Sequence, residues 1–205
     1  MPREAAVEAL KERTAPDRVI DLMSVYDGWS IMRVATIELS DGQHIHREVE
    51  DHGRAVAVLP YDPERRVALL VRLLRAPVLV ANSKERLLEA PAGIMEEDDP
   101  DACARREAME ECGLKLGALE HVMTAWTMPG ISTEQMDLYL APYAAADHVA
   151  AGGGVPEEHE EIVPVELPLR DVLTMADRGE LTDMKTYSLV MSLYRRHPDL
   201  FQELT

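Results

Sequence analysis

Three glutamates, Glu107, Glu110 and Glu111, stand at i, i+3 and i+4 in the run REAMEECGL. On a helix that spacing brings all three side chains out of one face, within about 100° of arc. Like charges so placed repel by a few tenths of a kcal/mol per pair in water, and by more when partly buried. Arg105 and Arg106 offset part of this, and Arg106 suits one carboxylate better than it neutralises three. A hard divalent cation resolves the frustration, because Mg²⁺ takes oxygen ligands, uses one or two protein carboxylates and keeps waters and substrate phosphates for the rest. Taken alone, the ladder also reads as a solvated acidic face. Its surroundings favour the metal. Glu96 to Asp101 holds five more acids and EEHEE at 157–161 four more, so these stretches carry 12 of the 38 acids, a concentration that calls for a counter-charge. Gly93 follows Ala92 at a strand end, where a missing side chain lets the backbone approach a ligand or metal closely.

The elements that must position these groups are legible in outline. Asp99-Pro100 supplies an N-cap and a first-turn proline and Gly113 a stop, which bounds a helix over 100–112. The only two cysteines, Cys103 and Cys112, then share that helix roughly 13 Å apart, too far for a disulfide, and are expected as free thiols. The first dozen residues read as a short polar helix ending near Pro16, and 17–26, 29–40 and 43–50 as strands of an N-terminal antiparallel sheet. Asp41-Gly42 is a hairpin signal in which both turn residues are expected at positive φ. AVAVLP (55–60), VALLVRLL (67–74) and RLLEA (86–90) read as buried central strands, the first two joined by YDPERR. Strands follow near 119–126, 136–143 and 161–166, and helices at 168–178 and 184–196. Residues 144–160, rich in Ala, Gly and acids, form a connection too long to be passive. Strands with helices between them give an α/β fold class, a sheet sandwiched between helices.

Composition narrows the partners. With 21 basic against 38 acidic residues the net charge is −17, which repels nucleic acid and anionic lipid. A length of 205 residues with 46% hydrophobic content builds a real core. A charged N-terminus and no apolar run near the roughly 18 residues of a membrane span exclude a membrane partner, and with the free thiols give the expectation of a cytoplasmic protein.

The segment GIMEEDDPDACARREAMEECGL (93–114) resembles the Nudix box: a glycine, five residues, Glu, seven residues, then Arg-Glu-U-x-Glu-Glu-x-Gly-U with U aliphatic. Arg106 to Leu114 fills the second half, with Ala108 as a small occupant of the first aliphatic position. The first half departs, because Asp99 replaces the first glutamate and only six residues separate it from Arg106. Asp99 also has a purely structural role as the helix N-cap. The resemblance runs over nearly the whole chain and is nearest to the nucleoside-diphosphate-sugar pyrophosphatase subgroup, of GDP-mannose hydrolases and ADP-ribose pyrophosphatases. A one-residue-short box followed by proline also occurs in the former. Further matching stretches are REVEDHG (47–53), VRLLRA (71–76), MPGISTE (128–134), AGGGVPEEHEEI (151–162) and GELTDMKT (179–186).

The resemblance implies a Nudix α/β/α sandwich over 51–205, with residues 1–50 as a helix and antiparallel strands forming a dimerisation arm. It implies Mg²⁺, or Mn²⁺, held by the Ala92 carbonyl, Glu107, Glu111 and Glu160, with Glu110 and Arg106 as accessory catalytic groups and Glu158 as the base. Glu157, Glu161 and His159 crowd the same loop. The implied substrate contacts are Trp29, by stacking a base, then His46, Arg47, Glu48, Arg75, Glu134 and Lys185. A homodimer follows, in which Trp29, His46, Arg47 and Glu48 serve the other subunit's pocket. The implied reaction converts GDP-mannose to GMP and mannose 1-phosphate, with ADP-ribose as the alternative substrate. A Nudix-fold sensor that binds without cleaving is the competing class, disfavoured because a pure binder gains nothing from a strained acidic face.

Overall fold

Strand β4 (Ala55–Asp62) is buried at all eight positions, so both of its faces must be covered. Its alternating side chains supply two cores. Val56 and Val58 join Leu69, Val71, Tyr139 and Ala141 on one side, under Cys103, Ala104, Ala108 and Cys112. Ala55, Ala57, Leu59 and Tyr61 join Leu70, Leu138 and Leu140 on the other, under Leu169, Val172, Leu189, Val190 and Leu193. Each large aliphatic side chain so buried contributes about 1.5–3 kcal/mol.

The computed structural model describes residues 16–81, 86–96, 98–154 and 161–202. The helix expected in the first dozen residues, and Glu157, Glu158, His159 and Glu160, lie outside them. The chain divides into two compact units, one of residues up to Gly53 with Met128–Glu134, the other of Arg54–Thr127 with Gln135 onward.

In the larger unit β4 lies in a seven-stranded mixed sheet with β5 (Val67–Leu73), β6 (Leu87–Glu89), β7 (Ala92–Ile94), β8 (Glu120–Trp126), β9 (Gln135–Pro142) and β10 (Val163–Pro168). The order is β10-β5-β4-β9-β8, with β6 on β5 and β7 on β4. Only β4 and β9 run parallel; the other pairs are antiparallel. A five-residue helix α1 (Ala76–Val80), which the sequence did not signal, follows β5. Helix α2 (Pro100–Cys112) covers one face, and α3 (Leu169–Asp177) and α4 (Met184–Arg196) cover the other. The α2 bounds are those read from the sequence. Asp99 caps it by accepting from the Ala102 N–H at 3.1 Å, and Gly113 ends it at φ +66°. Cys103 and Cys112 are free and buried on this helix.

The smaller unit is a three-stranded antiparallel meander, β1 (Arg18–Asp27), β2 (Ile31–Glu38) and β3 (His44–Asp51). One sequence expectation fails at its second turn, where Gly42 alone has positive φ, at +81°. The loop closes by Leu39 N–H to the Gln43 carbonyl at 2.8 Å and Gly42 N–H to the Leu39 carbonyl at 2.9 Å. A loop of that length needs one left-handed residue rather than the two of a two-residue hairpin. Asp41 instead accepts from the Gln43 backbone and side-chain amides, each at 3.0 Å. The 128–134 segment is fastened to the end of β3 by Glu50 N–H to the Ile131 carbonyl at 2.8 Å and Thr133 N–H to the Glu50 carbonyl at 2.9 Å.

Candidate active site

Helix α2 buries Cys103, Ala104, Glu107, Ala108, Glu111 and Cys112, a single stripe along its length. Two of those six are carboxylates, and small residues fill most of the rest, so the helix lies close against the sheet. Glu107 and Glu111 are 7% and 4% exposed. Burial of two acids one turn apart is costly unless each is held. Ala92, the first residue of β7, donates its N–H to Glu111 Oε2 at 3.2 Å. Arg106 Nη2 pairs with Glu107 Oε1 at 2.6 Å and donates to the Ile94 carbonyl at 3.2 Å.

Two expectations change here. Glu110 does not share the buried face: its side chain is about a third exposed and accepts from Arg106 Nη1 at 2.9 Å. Arg106 therefore bridges two glutamates instead of holding one, because its fork reaches both the adjacent residue and the one four positions on. At Gly93 the group that comes close is the Glu107 carboxylate. A Cβ there would lie 2.0 Å from Glu107 Oε1 and 2.2 Å from its Cδ. The glycine admits the Glu107 carboxylate to the β7 backbone.

The glycine run within the 144–160 connection is explained by the end of α2. Gly153 and Gly154 donate their N–H groups to the Glu111 and Glu110 carbonyls at 2.9 and 3.1 Å, which satisfies acceptors left over at the helix C-terminus. Gly152, at φ +70°, packs so closely that a Cβ would lie 2.4 Å from the Glu111 carbonyl oxygen. Beyond the undescribed residues 155–160, Ile162 returns its N–H to the Gly153 carbonyl at 3.3 Å and is buried in the α2 core. Both ends of that stretch are thus anchored at the C-terminal end of α2. Glu161 pairs with Arg86.

Arg75 and Lys185 meet on a residue that the sequence reading passed over. Glu89, 2% exposed at the end of β6, accepts from Arg75 Nε and Nη2 at 3.0 Å each and pairs with Lys185. Lys185 also reaches Asp183 Oδ2 at 3.1 Å. Burial alone would raise the Glu89 pKa, but the Arg75 hydrogen bonds and the charges of Lys185 and Arg75 hold it below the ordinary carboxylate value. The signal for Glu89 was present in RLLEA, a lone acid in an apolar run, since such an acid is buried only with partners.

The remaining sequence candidates lie in the smaller unit. His46, Arg47 and Glu48 are exposed on β3; the His46 ring meets Thr36 Oγ1 at 3.1 Å and Arg47 donates to the His46 carbonyl at 2.8 Å. Trp29 sits in the β1–β2 turn and stacks on His52, ring centroids 5.1 Å apart and planes 23° from parallel. His52, also missed, contacts Glu50 Oε1 through Nδ1 at 2.6 Å and Glu134 Oε1 through Nε2 at 3.2 Å. Burial lowers its pKa, yet the two carboxylates outweigh this and hold it above the ordinary imidazole value.

The fit of a metal rests on the donors themselves. Glu107 and Glu111 are hard oxygen donors brought to β7 by the packing of α2, the kind that Mg²⁺ or Mn²⁺ takes, and a backbone carbonyl such as that of Ala92 is of the same kind. Among the described residues no three acids, histidines or cysteines converge as a complete metal-binding group. The fourth ligand implied by the sequence resemblance, Glu160, is outside them.

The profile of the NUDIX domain matches residues 51–187. The chain is 37% identical over 175 residues to a protein of Cronobacter sakazakii named GDP-mannose pyrophosphatase, covering 83% of this chain and 91% of that one. It is 36% identical over 173 residues to one of the same name from Citrobacter koseri, covering 82% and 90%. A crystal structure described as an ADP compounds hydrolase superposes with a TM-score of 0.72 over 90% of this chain and 96% of that one, at 16% identity, a likeness of fold. The profile spans more than half of the chain, and the chain aligns with these relatives over most of its length: it belongs to the Nudix hydrolase family.

Proposed function

We propose that the chain hydrolyses the pyrophosphate bond of a nucleoside diphosphate sugar with a divalent cation, and that the substrate is GDP-mannose, giving GMP and mannose 1-phosphate. The observation that carries this reading is the pair of buried carboxylates, Glu107 and Glu111, held against β7 in a chain 37% identical to a relative named GDP-mannose pyrophosphatase.

In this reading the Ala92 carbonyl, Glu107, Glu111 and Glu160 hold Mg²⁺ or Mn²⁺. When bound there, such a cation would supply charge neutralisation for the phosphates and activation of water. The chain's own groups orient and move protons. Ala92 N–H and Arg106 fix the Glu111 and Glu107 carboxylates, and Glu110 steadies Arg106. Glu158 takes the proton of the attacking water, which adds in line at phosphorus as the P–O bond of the bridge breaks. Arg75 and Lys185 retain N–H donors beyond those given to Glu89, and these face the phosphates or sugar. Glu134 contacts the substrate, and Trp29 stacks the base with His46, Arg47 and Glu48 beside it.

The expected product of GDP-mannose with Mg²⁺ is GMP, with ADP-ribose as the competing substrate in the same assay. Glu111→Gln, being nearly isosteric, is expected to lower kcat by at least about 100-fold while circular dichroism is unchanged. Saturable nucleotide binding with no product from the wild-type protein would establish a sensor instead.

The same reading makes the protein a homodimer through its N-terminal sheet. Val19, Ile20, Leu22, Met23, Val25 and Tyr26 of edge strand β1 are all exposed, more contiguous apolar surface than an isolated edge strand ordinarily shows. Sedimentation should give a dimer, and dilution to monomer should lower specific activity. Full activity in a demonstrated monomer would overturn this.

A further inference from the structure

Trp29 is 77% exposed although an indole is among the costliest side chains to leave in water. It stands in a short turn, where Gly28 donates its N–H to the Ser30 carbonyl at 3.1 Å. What fixes it is its stacking on His52. That ring is itself unusually constrained. Only 16% of its side chain is exposed, and its two nitrogens meet two different carboxylates, from Glu50 and Glu134. A carboxylate only accepts, so both nitrogens donate and the ring is an imidazolium. Turning it would break both bonds.

The two carboxylates are fixed in turn. Glu50 Oε2 accepts from Ser132 Oγ at 2.6 Å, and Ser132 Oγ accepts from the Glu134 N–H at 3.1 Å. Glu50 is also paired through its backbone to Ile131 and Thr133. The result is a rigid base under one face of the indole: β3, the 128–134 loop, then an imidazolium whose charge favours the π-face above it.

We propose that His52 is a positioning residue for nucleobase recognition: by bridging Glu50 and Glu134 while lying beneath Trp29, it holds the indole with its other face presented to a planar base. This rests on the nucleoside diphosphate sugar reading above and adds a residue that no sequence motif assigned. The role assigned to His52 is exercised through its stacking on Trp29 and not on the diphosphate. Loss of such a contact weakens binding without slowing chemistry, so His52→Gln is expected to raise KM for GDP-mannose about tenfold with kcat within about twofold.

Action through Trp29 has a signature that a merely structural role lacks. In a double-mutant cycle, Trp29→Ala with His52→Gln should have the KM of Trp29→Ala alone. His52→Arg, whose planar fork stacks and donates to both carboxylates, should restore KM to within about threefold of wild type. An unchanged KM in His52→Gln, or full additivity with Trp29→Ala, overturns the proposal. Should His52→Gln fail to fold, His52→Phe decides. It keeps a ring but drops both bonds, and here too an unchanged KM overturns the assignment.

The quenching of Trp29 fluorescence by GMP in a Trp126→Phe background separates this from the activity itself. If the wild-type protein cleaves no nucleoside diphosphate sugar yet GMP quenches Trp29 in a His52-dependent way, the positioning role stands and the substrate reading falls. If GDP-mannose is cleaved with a KM indifferent to residue 52, the reverse holds.

Discussion

Single side chains set the chemistry at the α2–β7 contact, and Gly93 shows how narrow the tolerance is. Its backbone lies outside the left-handed region, so alanine is acceptable to the strand itself. The obstruction is the Glu107 carboxylate, 2.0 Å from where the methyl group would be. Gly93→Ala must therefore displace Glu107, and misplacement of a positioned group by about 1 Å costs on the order of 100-fold in rate. We expect that loss in kcat with a melting temperature close to wild type; normal turnover would mean that the position of Glu107 does not matter. The cysteines contribute no chemistry of this kind. Burial and the neighbouring Glu111 push the Cys112 thiol up, and burial does the same at Cys103, which keeps both protonated and unreactive.

At the scale of elements, Glu89 ties together parts that the chain separates widely: β6, the N-cap of α1 through Arg75, and the first turn of α4 through Lys185. Its pKa is held below the ordinary value, so the sign is that of a depressed acid. The stabilisation is complete above the unfolded pKa and is lost as pH falls through the folded one. Denaturant midpoints should drop as pH falls below about 4.5. In Glu89→Gln that contribution to the pH dependence should vanish. The variant should also be less stable at neutral pH by about 3 kcal/mol, because two cations are left without their buried partner. An acid limb in Glu89→Gln as steep as that of wild type would show that Glu89 is not the group responsible. The end of α2 is a second case. The helix stops at Gly113, and Gly153 and Gly154 supply donors for its Glu111 and Glu110 carbonyls, so the glycine run serves as a helix cap.

For the molecule as a whole, a net charge of −17 opposes approach of an anionic diphosphate. Arginines near the site act only at short range, whereas the repulsion acts over a Debye length. Raising salt from about 20 to about 200 mM, at fixed free Mg²⁺, should therefore raise kcat/KM for the nucleotide sugar by about twofold or more through faster encounter. A fall would mean that the local cations dominate even at long range. Trp29, His46, Arg47, Glu48 and Glu134 belong to one compact unit, and Ala92, Arg106, Glu107, Glu110, Glu111, Arg75 and Lys185 to the other. No helix among the described residues is long and apolar enough to cross a membrane.

The sequence by itself determined the bounds of α2, the buried strands β4 and β5, and the family, because these rest on local rules: a cap, a stop, period-two or continuous apolar runs, and a motif read in order. It could not determine which glutamates of the ladder are buried, since helical spacing places Glu107, Glu110 and Glu111 together and only packing against β7 separates them. Nor could it show that Gly93 makes room for Glu107, or that Arg75 and Lys185 share Glu89. The pairing of His52 with Glu134 was equally hidden, because it joins residues 82 positions apart. Each of these is a contact between distant segments, decided by which side chains the folded sheet and helices bring within hydrogen-bonding reach, and no local pattern encodes that distance.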